Sequence, residues 1–183
     1  MLIKDSIYIL TNLFLDSSDM MIRFVSYPDG VHYIELNKPS KDLGLDKEVT
    51  GDVVLKCKMD KSFHQIYLDC KIEANAKMVC DRCNDEFNGL LTNSFKITYL
   101  FEKVEEVSDD LNIKYISHEI DRINLSKEVT EYCELSLPMK KLCSEDCKGL
   151  CPKCGVNLNE KQCECKVEIN DSIWEPLKKL KKQ

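Results

Sequence analysis

Eight cysteines in two stretches carry the spacing of metal ligands: Cys80-Asp-Arg-Cys83, and then Cys143, Cys147, Cys151, Cys154, Cys163 and Cys165. Tetrahedral Zn2+ takes four thiolates at about 2.3 Å, and a C-x2-C pair bends the chain so that both sulfurs reach one ion. Cys151-Pro-Lys-Cys154-Gly is such a knuckle, with Pro152 setting the turn and Gly155 suited to the positive φ by which the chain leaves it. Its partners are most simply Cys163 and Cys165, because Asn157-Leu158-Asn159 can reverse the chain between them. Cys80, Cys83, Cys143 and Cys147 are then expected to form a second set. The spacing leaves an alternative open, in which Cys143 to Cys154 fill one shell and Cys163 and Cys165 stay free.

A competing use of Cys80 and Cys83 is a redox dithiol. Such a pair normally sits at a helix N-terminus, where the dipole lowers a thiol pKa. Here the motif follows a strand pattern, and the acidic neighbours in Asn84-Asp85-Glu86 are expected to raise it. Four thiolates around each ion leave no open position for activating water, so a structural role is expected for two zinc ions. Structural zinc contributes about 10 to 16 kcal/mol of apparent binding energy in small peptides. From Cys143 to Cys165 the large apolar side chains are only Leu150, Val156 and Leu158. This segment should not fold without metal.

The ligands need elements to position them. Val53, Leu55, Cys57 and Met59 alternate with Lys56 and Lys58, the period of a half-buried strand. After a turn at Asp60-Lys61-Ser62, a long, bent strand from Ile66 to Met78 leads into Cys80, and Phe95, Ile97, Tyr99 and Phe101 form another strand. Ile22 to Leu36 reads as a hairpin or an irregular edge around Pro28-Asp29-Gly30, and Ile113 to Ile116 as one short strand. Ser126 suits an N-cap, with Val129, Tyr132, Cys133 and Ser136 on one helical face ahead of Pro138. The expected fold is α+β: an antiparallel β meander with one main helix and a C-terminal zinc-binding module. Cys57, Cys70 and Cys133 fall on apolar faces and read as small buried hydrophobes.

The expected organisation is an N-terminal extension over 1–20, an α+β core over 21–139, a cysteine-rich module over 140–169 and an amphipathic basic helix over 170–183. In that helix Trp174, Leu177 and Leu180 recur at three-residue spacing between Lys178, Lys179, Lys181 and Lys182. It can dock on its own domain or, through Trp174, Lys178 and Lys181, on a partner. Among 183 residues, 43% are hydrophobic and 32% charged, outside the composition of disordered chains. No apolar run reaches the ~20 residues of a membrane span. The apolar N-terminal stretch is interrupted by Asp5, Thr11 and Asn12 with no small-residue cleavage site, so the expected location is the reducing cytoplasm, where clustered thiols favour metal. A net charge of −6 argues against gripping nucleic acid by bulk electrostatics. His32, His64 and His118 are isolated, and the chain has neither a Gly-rich phosphate loop nor a G-x-S-x-G motif.

Two motifs together give a resemblance. The first is Cys80-x-Arg82-Cys83 followed by Phe87. The second is Leu137-Pro138-Met139, then Cys143-x3-Cys147-Lys148-Gly149-Leu150-Cys151-Pro152-x-Cys154-Gly155-x-Asn157-Leu158-Asn159, then Cys163-x-Cys165. From about Ile22 to Leu180 the chain resembles the YceD family, linked to accumulation of the large-subunit ribosomal RNA. Ser172 and Ile173 stand where that family usually has Pro and Arg before the Trp. The resemblance implies a non-enzymatic factor in making or stabilising the large ribosomal subunit, contacting precursor RNA or an early ribosomal protein. No membrane or small-molecule substrate is expected. Arg82, Lys148 and Lys153 beside the ligands would offer a rigid basic platform for RNA. Two readings compete: a redox-regulated chaperone using Cys80 and Cys83, and a zinc-ribbon adaptor that binds protein alone.

Overall fold

The structure, a computed structural model, describes residues 20–101 and 112–165. The chain falls into two compact units, one of residues up to Met78 with Asn88–Met139, the other of Val79–Phe87 with the chain from Lys140 onward. Among the described residues the elements are β1 (Met21–Ile22), β2 (Gly30–Pro39), β3 (Val49–Lys61), β4 (Gln65–Val79), β5 (Glu86–Leu100), β6 (Ile113–Tyr115), β7 (Ile123–Asn124) and α1 (Ser126–Leu135). No helix among them is long and apolar enough to cross a membrane.

The first unit is built on a five-stranded sheet in the order β2-β3-β4-β5-β6. Alternation decides which side is dry. Val53, Leu55, Cys57 and Met59 of β3 and Ile66, Leu68, Cys70 and Ile72 of β4 are all buried, while Lys56, Lys58 and Lys71 between them are exposed. α1 covers the dry face: its Val129 and Cys133 are fully buried, and Tyr132 stacks on Phe95 of β5 with ring centroids 4.9 Å apart. Each large aliphatic side chain so buried is worth about 1.5–3 kcal/mol. The pairing of β3 with β4 slips between Thr50 and Val54. Gly51 sits in that bulge at φ +73°, a conformation that costs other residues strain.

Several expectations are corrected. The sheet is not wholly an antiparallel meander, because β6 pairs parallel to β5. β5 begins at Glu86, well before Phe95, a start blurred in the sequence because Leu90 is exposed and Leu91 buried. Ile22 belongs to a short ladder opposite Ile123, and β2 is a full ten-residue edge strand. Its alternation is weak because Val31 and Tyr33 are apolar yet exposed. Ser126 is the first helical residue rather than the cap, and its amide donates to Asn124 Oδ1 at 2.8 Å. Cys57 and Cys70 are buried as expected but not as separate thiols: they face each other directly across β3 and β4 and form a disulfide.

Candidate metal centres

The sulfurs of Cys80, Cys83, Cys143 and Cys147 all lie within 4.8 Å of one another, and so do those of Cys151, Cys154, Cys163 and Cys165. Four ligands at about 2.3 Å from one ion place neighbouring sulfurs about 3.8 Å apart, the edge of a tetrahedron. Cys80 and Cys147 Sγ are 3.8 Å apart, and Cys83 and Cys143 Sγ are 3.6 Å apart. The donor set and its spacing therefore fit one tetrahedral ion in each cluster. The alternative single shell from Cys143 to Cys154 is not what the fold assembles.

The first cluster is held by two segments 60 to 67 positions apart in sequence. The end of β4 turns through Cys80-Asp81-Arg82-Cys83, and Asn84 takes φ 61° so that its amide donates to Cys80 O while Cys80 N donates to Asp85 O. The other limb is laced to it: Asp81 N donates to Lys141 O, and Lys141 N donates to Asp81 Oδ2. Phe87 and Leu142 pack on the buried Cys80, Cys83 and Cys147. The second cluster closes on a knuckle in which Gly155 has φ +72° and its amide donates to Cys151 O at 2.9 Å.

Arg82, Gly149, Asn157 and Asn159 join the two clusters, and only Arg82 stands among the residues expected to act. Arg82 Nη1 donates to the carbonyls of Glu145 and Cys147, while Arg82 O accepts from Leu150 N. Gly149 lies so close that a Cβ there would stand 2.9 Å from Arg82 O, at φ +74°. Asn157 Nδ2 donates to Asp85, and Asn159 Nδ2 donates to Cys147 Sγ at 3.3 Å while its Oδ1 accepts from Lys148 N. The sequence signal for these braces was their place inside the spaced motif. Asn157 meets Asp85 72 positions away and Gly149 meets Arg82, pairings that spacing alone does not reveal, whereas Asn159 braces Cys147 and Lys148 within its own limb.

The electrostatics split the two thiols of Cys80-Asp-Arg-Cys83, both expected to be raised. Burial pushes Cys80 up, but the backbone amides of Cys143, Cys83 and Arg82 outweigh it and bring the thiol down to about 6. The expectation holds instead at Cys83: the Asp85 amide draws that thiol down, but burial, the Cys80 and Cys143 thiols and the Asp85 carboxylate outweigh it and push it up. Cys151 is likewise brought down to about 6 by the amides of Cys154 and Lys153. Cys165, hydrogen-bonded by Cys154 and partly buried, is pushed up to about 12. Such amide-lined sulfurs are ready to exchange a proton for a cation.

Lys148 and Lys153 are exposed on the loops beside the clusters, and among the described residues neither makes an ion pair. Trp174, Lys178 and Lys181 lie outside the described residues.

Comparison with known proteins bears on what such a unit serves. The family model described as "Large ribosomal RNA subunit accumulation protein YceD" matches residues 68–181, more than half of the chain. A chloroplastic large ribosomal RNA subunit accumulation protein, YCED homolog 1 of Arabidopsis thaliana, is 26% identical over 178 residues, covering 82% of this chain and 54% of its own length. The Zea mays protein of the same name is 40% identical over 45 residues, 24% of this chain and 15% of its own. An uncharacterized protein of Mycobacterium tuberculosis is 31% identical over 81 residues, 43% of this chain and 38% of its own. The chain thus spans about half the length, or less, of these relatives. No solved structure matches it.

Proposed function

The chain belongs to the YceD family of large ribosomal RNA subunit accumulation proteins, and on that premise we propose that it acts without turnover in making the large ribosomal subunit. In this reading each cluster holds one structural zinc ion. Cys80, Cys83, Cys143 and Cys147 ligate the first, and Cys151, Cys154, Cys163 and Cys165 the second. When bound, the metal supplies cross-linking. The protein's residues do the rest: Arg82 and the two asparagines lock the loops, and Lys148 and Lys153 present ammonium groups to RNA phosphate from a fixed frame. Trp174, Lys178 and Lys181 extend that contact to precursor RNA or an early ribosomal protein.

The observation that carries this reading is the convergence of all eight cysteines into two four-sulfur sets within a chain of this family. Every donor position around each ion is filled by the protein, which supports a scaffold rather than catalysis. It also weighs against a free dithiol at Cys80 and Cys83. Crosslinking in cells followed by sequencing and mass spectrometry tests the proposal. Recovery of large-subunit RNA or a large-subunit protein is expected, and depletion should lower the large-subunit RNA relative to the small. Recovery of neither would refute it.

A further inference from the structure

The sheet of the first unit leaves one face to solvent, and its residue types are set by register. Tyr33 of β2 stands opposite Lys58 of β3, which stands opposite Asp69 of β4; one step along, Glu35, Lys56 and Lys71 form the adjoining row. These six side chains line an open groove of about 380 Å³. Tyr33 is 69% exposed, and among the described residues its hydroxyl has no hydrogen-bond partner, so its ring is not used to hold the fold. Tyr67 lies on the same face, half-buried, two residues from Asp69.

Charge decides what the groove suits. Three lysines face two carboxylates in its lining. Asp69 is drawn to Lys96 at 3.8 Å, while Lys56 and Lys71 share Glu73 at 2.7 and 2.8 Å. Lys58 makes no ion pair among the described residues. Exposed pairs of this kind are worth about 0–1 kcal/mol, so a phosphate can displace them. A flat face carrying a free aromatic ring among lysines stacks an unpaired base and tracks its backbone, whereas a paired duplex offers no base face to the ring.

We propose that this groove binds single-stranded RNA, stacking a base on Tyr33 and holding the adjoining phosphates with Lys58, Lys56 and Lys71. The inference rests on the ribosomal-RNA reading above and adds a second contact surface to it, remote in sequence from the cysteine motifs. About three phosphates neutralised on a single strand give a slope of about −2 in log affinity against log salt.

The test uses the full zinc-loaded chain with a twelve-nucleotide oligouridine and a duplex of the same length, read by fluorescence anisotropy. The single strand should bind more tightly. Tyr33→Ala should weaken it about tenfold, the scale of losing one stacked base, while Tyr33→Phe keeps affinity. Lys58→Ala should flatten the salt slope by about 0.7. An unchanged Tyr33→Ala, with loss in Lys148→Ala and Lys153→Ala, would overturn the groove and spare the ribosomal reading. A photoreactive phenylalanine at position 33 that crosslinks a ribosomal protein instead of RNA would also overturn it. Absence of both ribosomal RNA and large-subunit proteins from cellular crosslinks would remove the ribosomal reading on which this one rests.

Discussion

The two units solve the same problem with different chemistry. In the sheet unit, Leu55, Met59, Ile66, Leu68 and Val129 are fully buried, and the fold is held by apolar surface. In the cysteine unit the buried cluster consists of Cys80, Cys83 and Cys147, with only Phe87 and Leu142 packed on it among the described residues, and Leu150 is exposed. The lesson is that side chains best placed for burial in the second unit are the ones that would ligate metal. Without an ion they are thiols with little apolar surface to contribute. The first unit should therefore tolerate chelation, and the second should not.

The largest expected effect follows directly. Cys151→Ser or Cys83→Ser should halve the zinc bound per chain, from two ions to one by metal analysis, and unfold the loops of the affected cluster. Structural zinc sites contribute about 10 kcal/mol or more, beyond what loops of this composition can recover. The β3 and β4 signals should persist; their loss would break the contrast.

Next in size is a core truncation on the other side. Leu55→Ala should cost about 2–5 kcal/mol in chemical denaturation, with both zinc ions retained in the folded fraction. The Cys57–Cys70 disulfide closes a loop with a sequence separation of 13. Replacing both by Ala should cost about 3 kcal/mol, the size expected for a loop of that length. Thiol titration in denaturant with metal removed should count nine free thiols before reductant and two more after it.

Gly149→Ala sharpens the comparison at one atom. The new Cβ meets a backbone carbonyl, not a flexible side chain, and does so at positive φ. A cost of about 1–3 kcal/mol, confined to the cysteine unit, is expected. The smallest effect is in pH. Cys80 and Cys151 have pKa values lowered to about 6, so they are thiolates above that pH and protonated below it. Metal binding must then displace one further proton at each centre, and apparent zinc affinity should fall more steeply below about pH 6 than above it.

How much of this was legible in the sequence differs between the units for physical reasons. β3 and β4 could be read because Val53 to Met59 and Ile66 to Met78 alternate cleanly. β2 and the start of β5 were obscure because exposed Val31, Tyr33 and Leu90 hide the period. Register is not contained in either strand alone, so the pairing of Cys57 with Cys70 could not be foreseen from their shared apolar character. The set Cys151, Cys154, Cys163 and Cys165 was legible because its knuckle spacing is local, whereas Cys80 and Cys83 joining Cys143 and Cys147 across 60 to 67 positions was only one of two divisions the spacing left open. The contact of Gly149 with Arg82 was not, since it depends on two loops meeting.

Amide hydrogen exchange of the full chain before and after complete chelation tests the central claim most directly. Protection should collapse across residues 79–87 and 140–165 while the amides of β3 and β4 stay protected. Unchanged protection at Cys151, Gly155 and Leu158 after the metal is gone would contradict it.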